Sequence, residues 1–202
     1  MQVPGKGVSG SSKWVSIYCE IHHNMTRPEP GLKTVGRERK DRMASEKTGN
    51  QFIIEEAEAL TSLSVRKHTS VEKLPGEIGM AYGAIMNYLT ELGDVEQLVS
   101  GMPYVAYYNL DMEDLDVEMG FPTTQAFPDK EEVKASQIPA GKWLTAMYKG
   151  PYAQMASTYE EMSQYMAEQG LEASGIVYEY YYNSPEEVPE NELLTKIAFL
   201  LK

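Results

Sequence analysis

The chain changes character near residue 51. Up to that point neither a helical period nor a strand alternation is sustained, and Gly5, Gly7, Gly10, Pro28, Pro30 and Gly31 break every run. Residues 1–50 are therefore expected to be a disordered tail. Beyond it, residues 53–56 and 62–68 read as extended segments. Pro75 then opens a stretch in which Ile78, Tyr82, Ile85, Leu89 and Leu92 recur at helical spacing until Gly93 stops it, which predicts an amphipathic helix. Residues 102–109 and 115–119, joined by the acidic turn 111–114, predict a hairpin, and 121–132, with two prolines and no period, predicts a connection.

The same order then recurs. Strands are expected over 133–138 and 143–148, followed by a turn at 149–151. A helix carrying Met155, Tyr159, Met162 and Met166 comes next, stopped by Gly170, and strands over 176–183 and 193–200 close the chain around an exposed loop at 184–192. GMPYVAYYN at 101–109 and GIVYEYYYN at 175–183 agree at the glycine, three tyrosines and the asparagine, and Tyr82 and Tyr159 each stand eleven residues before their stop glycines. The pattern predicts an α+β fold made of a duplicated strand-helix-strand-strand unit, with repeat 1 at about 51–120 and repeat 2 at about 133–202. The expected arrangement is two antiparallel sheets side by side, one main helix each. The helices would cover one face, and the other face would form a shared central ligand cleft.

Side chains alternate along the second motif, so Glu179, Tyr181 and Asn183 share one face while Tyr178, Tyr180 and Tyr182 share the other. An unpaired carboxylate against a helix core would cost several kcal/mol, which assigns Glu179 and Tyr181 to the cleft and away from the helix. The matching positions of the first motif are Val105, Tyr107 and Asn109. Since Val105 fills the equivalent place without a charge, the charge of Glu179 reads as functional rather than structural. A carboxylate among aromatic rings suits hydrophobic cations, each ring adding about 0.5–2 kcal/mol of cation–π attraction. The candidate ligand-binding residues are Glu179, Tyr181, Tyr107, Trp143 and Tyr148. Trp143 and Tyr148 have opposite parity on one strand, so one of them is expected in the core. Tyr104, Tyr108, Tyr178 and Tyr182, and the methionines Met155, Met162 and Met166, are assigned to packing.

Charge sharpens this picture. Residues 1–48 carry nine Lys/Arg against five Asp/Glu and residues 49–202 nine against twenty-five, a basic tail on an acidic body. Such a body repels phosphate backbones and attracts cations, so direct nucleic-acid binding by it is not expected. The run Arg37, Arg39, Lys40, Arg42 reads as a solvated tail before it reads as a nucleic-acid arm. Cys19 stands alone as a cysteine, so no disulfide framework is expected, and with His22 and His23 it falls short of the ligand set of a closed zinc site. No apolar run approaches the roughly 18 residues of a membrane span and no signal peptide is evident, so cytoplasmic residence is the expectation. His68 has no nucleophile motif beside it, and P-loop, GxGxxG, HExxH and paired CxxC patterns are missing, so no cofactor or metal is expected.

IPAGKWLTAMYKGPY at 138–152, YEYYYNSP at 178–185 and EVPENELLTKI at 187–197 resemble the GyrI-like domain, which is also the effector-binding domain of AraC- and MerR-type multidrug regulators. The likeness covers about residues 51–202. It implies a cleft in which a glutamate at the position of Glu179 contacts cationic ligands beside aromatic neighbours, including the position of Tyr181. Unlike the regulators, this sequence shows no DNA-reading segment. Stand-alone relatives imply three roles: sequestering toxic compounds, hydrolysing cyclopropane-bearing genotoxins, or engaging a protein partner as a gyrase inhibitor does. The hydrolase reading would use Glu179 to position water and a tyrosine such as Tyr181 as proton donor.

Overall fold

The computed structural model describes residues 51–202, so the expectations for residues 1–50 lie outside the described residues. The predicted elements are present in the predicted order. They are β1 (Phe52–Ala57), β2 (Leu60–Thr69), α1 (Leu74–Leu92), the short α2 (Val95–Leu98), β3 (Tyr104–Tyr107) and β4 (Leu115–Pro122). There follow β5 (Lys134–Ile138), β6 (Gly141–Lys149), a single 3₁₀ turn (Tyr152–Gln154), α3 (Ala156–Gln169), β7 (Ala173–Tyr181) and β8 (Leu194–Leu201). Pro75 lies in the first turn of α1, where its missing N–H removes no helical bond. Gly170 ends α3 in the left-handed conformation at φ 65°, its N–H returning to Ala167 and Met166.

The strands form one antiparallel sheet of eight in the order β1-β6-β8-β7-β3-β4-β2-β5, not the two separate sheets expected. The reason lies in the first strand of each half. β1 leaves β2 and pairs with β6, while β5 leaves β6 and pairs with β2, so each half lends the other an edge strand. The order reads the same from both ends when β1 is set against β5, β6 against β2, β8 against β4 and β7 against β3. The two tyrosine motifs therefore meet at the centre, with Val105 directly opposite Glu179.

Both helices lie on one face. Met162 and Met166 of α3, with Met155 just before it, pack in one cluster with Leu144, Val177, Ile197 and Phe199. α1 buries Ala81, Ile85 and Leu89, and Tyr82 packs edge-on against Phe121 at 4.9 Å. Of the predicted α1 stripe, Leu92 is instead exposed, at 38%. On the opposite face Tyr104, Ala106, Ile138, Trp143, Tyr178 and Ala198 form a second apolar cluster.

Candidate functional site

Glu179 lies on the helix-bearing face, with Val177 and Tyr181, while Tyr178 and Tyr180 belong to the opposite cluster. This reverses the expected assignment, and the reason is pairing. The carboxylate, only 5% exposed, accepts hydrogen bonds from Tyr107 (3.1 Å) and Tyr181 (2.6 Å) at Oε2 and from Tyr159 (2.5 Å) at Oε1. The penalty that argued against the helix side is thus offset by three phenolic donors, one of them supplied by the helix itself.

Three elements build this cage. β7 contributes Glu179 and Tyr181 two residues apart on one face, β3 contributes Tyr107 on the neighbouring strand, and α3 contributes Tyr159. Tyr152, on the 3₁₀ turn before α3, sets its ring edge-on against Tyr181 at 5.7 Å. Tyr82 of α1 lies close enough to Tyr181 to act on it electrostatically. Of the two long helices, α3 gives Glu179 a direct hydrogen bond, whereas Tyr82 of α1 donates to the Tyr104 carbonyl on the neighbouring β3 (3.0 Å).

The electrostatics follow from burial. Desolvation raises the pKa of Glu179 above the ordinary carboxylate value, and the hydrogen bonds from Tyr159, Tyr181 and Tyr107 oppose that rise without cancelling it. Burial and then the nearby carboxylate push Tyr107, Tyr159 and Tyr181 well above the usual phenol range, and Tyr152 to about 12. The phenols stay protonated and act as donors. Burial thus shifts the Glu179 carboxyl toward its neutral form.

Of the five residues singled out from sequence, Glu179, Tyr181 and Tyr107 come together. Tyr148 is on the same face but donates to the Pro151 carbonyl (2.7 Å), holding the turn that carries Tyr152 rather than touching the carboxylate. Trp143 does not join them. It packs edge-on against Tyr178 on the opposite face, 3% exposed, because its parity on β6 is opposite to that of Tyr148. Tyr159 was read only as part of a helical stripe. Its spacing to Gly170, equal to that of Tyr82 to Gly93, marks the repeat but does not show which strand side chain it meets.

A second buried carboxylate, not singled out from sequence, sits on the other face. Glu118, also 5% exposed, accepts from Tyr104 (3.0 Å), Tyr108 (2.8 Å) and Ser136 (2.6 Å), and Ser62 shares a hydrogen bond with Tyr104 (3.0 Å). Gly120 makes this possible, since a Cβ there would come within 2.7 Å of the Tyr104 hydroxyl. Among the described residues no cluster of three or more His, Cys, Asp or Glu is arranged to hold a metal, and no helix is long and apolar enough to cross a membrane.

Comparison with known proteins bears on the fold and the family. No curated protein matches the sequence. EcmrR, in a structure of its complex with DNA, is similar with a TM-score of 0.66 at 15% identity, over 95% of this chain and 65% of that one, so the present chain spans just under two thirds of that relative. A hydrolase encoded by lin2189 from Listeria innocua is similar with a TM-score of 0.54 at 13% identity, over 75% of this chain and 92% of that one. SAV2435 bound to tetraphenylphosphonium is similar with a TM-score of 0.53 at 12% identity, over 75% and 94%. At these identities the likeness is one of fold. The GyrI-like small molecule binding domain matches residues 50–202, and the chain belongs to that family.

Proposed function

We propose that the chain binds small hydrophobic cations, aromatic ones foremost, in a cleft between α1 and α3 whose floor is Glu179. The observation that carries this reading is a buried carboxylate caged by three phenols, one of which rides on a helix. The likeness of the two tyrosine motifs supports it, since the first has Val105 where the second has Glu179, directly opposite in the sheet. The charge is not what the fold needs at that register. An arriving cation replaces the stabilisation that desolvation removed, and the rings of Tyr152, Tyr159 and Tyr181 supply apolar and cation–π contact. The structural neighbour SAV2435, bound to tetraphenylphosphonium, points to the same ligand class.

The test is calorimetry with a matched cationic and neutral aromatic pair on wild type and Glu179→Gln. The variant is expected to weaken the cation by about 1.5–3 kcal/mol, roughly 10- to 150-fold, and the neutral ligand much less. Equal losses for both ligands, or none for either, refute the reading.

A second reading, hydrolysis of an electrophilic small molecule, is favoured by one observation: the Glu179 carboxylate accepts hydrogen bonds from three phenols, a candidate base beside hydroxyl donors. Tyr181→Phe separates the readings. Under binding alone it lowers affinity modestly, whereas under hydrolysis it depresses turnover more than binding, as mass spectrometry of ligand after incubation would show.

A further inference from the structure

Trp143, which the Glu179 site does not use, lines a cavity of about 240 Å³ on the opposite face together with Glu55, Glu58, Tyr180, Tyr182 and Lys196. The cavity lies where the two ends of the sheet approach one another. β1 and the turn after it form one side, and the start of β2, the end of β5 and the segment before β3 form the other. The two halves treat this face differently at one register. β4 sets Glu118 opposite Ala106, and hydroxyl donors fill the space around it. β8 sets Lys196 opposite Tyr180, and the space beside it stays open.

We infer that this cavity is a second binding site, for a small arylalkyl ammonium ligand, independent of the Glu179 cleft. Size sets the first limit. The volume falls below the roughly 300–1,000 Å³ of drug-sized pockets and suits a single ring with a short chain. Charge sets the second. Lys196 is engaged with Glu55 at 2.6 Å, while Glu58 has no ion-pair partner among the described residues, so the lining as a whole is negative. The aromatic wall sets the third, since the Lys196 ammonium already lies 5.9 Å from the centre of the Tyr180 ring. A ring against Trp143 and Tyr180 with its ammonium at Glu58 satisfies all three.

Trp143 reports on its own site. The chain has two tryptophans, and Trp14→Phe leaves Trp143 as sole emitter in the full chain. In that background phenethylamine is expected to change Trp143 emission saturably, with half-saturation unaltered within twofold by Glu179→Gln. Glu58→Gln, at an exposed turn, should raise half-saturation about 1.5- to 5-fold, the range of an exposed ion pair, and 2-phenylethanol should show a similar deficit. Ala57→Phe, at the exposed end of β1, should fill the mouth and abolish the response. The assignment is overturned by three results: no saturable response in the parent, a response that Glu179→Gln removes, or one that both Glu58→Gln and Ala57→Phe leave intact. Because the Glu179→Gln arm is read separately, this site can fail while the cleft stands, and the reverse.

Discussion

Glu179 and Glu118 are the same residue on opposite faces of one sheet, each 5% exposed and each accepting three hydroxyl hydrogen bonds. They differ in where the donors are anchored. Around Glu118 they come from β3, the residue after it, and β5, so the carboxylate staples strands together. Around Glu179 one donor, Tyr159, belongs to α3, and the ring of Tyr152 leans in from the turn before that helix. The donors to Glu118 all ride on strands or beside them, so they move with the sheet. A carboxylate that shares a donor with a helix can be uncovered by a helix movement that leaves the ladder whole. Burial and partner count do not separate the two carboxylates; the helix-borne partner does, and the role proposed for Glu179 rests on that difference.

The same substitution at the two positions should therefore have opposite consequences for stability. A glutamine offers one acceptor oxygen where the carboxylate offered two. At Glu118 this strands hydroxyls in a closed part of the sheet, and Glu118→Gln is expected to lose about 2 kcal/mol, a fall of roughly 4–8 °C in Tm for a chain of this size. At Glu179 desolvation already disfavours the charged form, so Glu179→Gln removes a liability along with its hydrogen bonds, and Tm should hold or rise slightly. Thermal denaturation of both variants at pH 7 measures the contrast. Equal losses would collapse it.

The contrast also marks what was legible in sequence. Strand alternation, the helix stops at Gly93 and Gly170, and the kinship of the two tyrosine motifs are local signals, and the elements they predicted are present. Pairing was not local. That β1 joins β6 some ninety positions away depends on which edges meet in space, and periodicity reports only which faces are apolar. The face of Glu179 is illegible for a related reason: in sequence the carboxylate is unpaired, and Tyr159 becomes its partner only once the helix docks. Glu118, in the strand-like run LDVEMGFP, looks like a solvated strand glutamate until β3 and β5 close around it.

pH sharpens the comparison next. The folded-state pKa of Glu179 is raised above its ordinary value of 4.5, so between the two the native state holds more proton than the unfolded chain. Its contribution to stability is fully present below pH 4.5 and is lost as pH rises through the raised value, at about 1.4 kcal/mol per unit of separation. The quantity to measure is the stability difference between wild type and Glu179→Gln from pH 4 to 8, in which contributions common to both proteins cancel. It should decline with rising pH. Cation binding should run the other way, strengthening over the same window and releasing a proton, which calorimetry in buffers of different ionisation heat detects. A flat stability difference together with proton-neutral binding would contradict the raised pKa.

The smallest effect tests the helix-borne donor itself. Tyr159→Phe removes one hydroxyl from a carboxylate that retains two, and the ring can keep its edge-on contact with Phe199, so the stability loss should stay below about 1 kcal/mol. The hydrogen bond from Tyr159 is the largest influence holding the pKa of Glu179 down against desolvation. Its removal should push that pKa higher still, leaving more of the carboxyl protonated at a given pH. Cation binding should then weaken about two- to fivefold near the raised pKa, a modest fraction of the energy of a charged hydrogen bond. The deficit should shrink as pH rises and the carboxyl ionises in both proteins. Ser136→Ala, the matching loss of one hydroxyl at Glu118, should lower stability by about 1 kcal/mol and leave cation affinity unchanged at every pH. Titrations of one cationic ligand against the three proteins at several pH values decide the point. A pH-independent deficit in Tyr159→Phe would make its hydroxyl a direct ligand contact, and a deficit in Ser136→Ala would show that the two faces of the sheet are coupled.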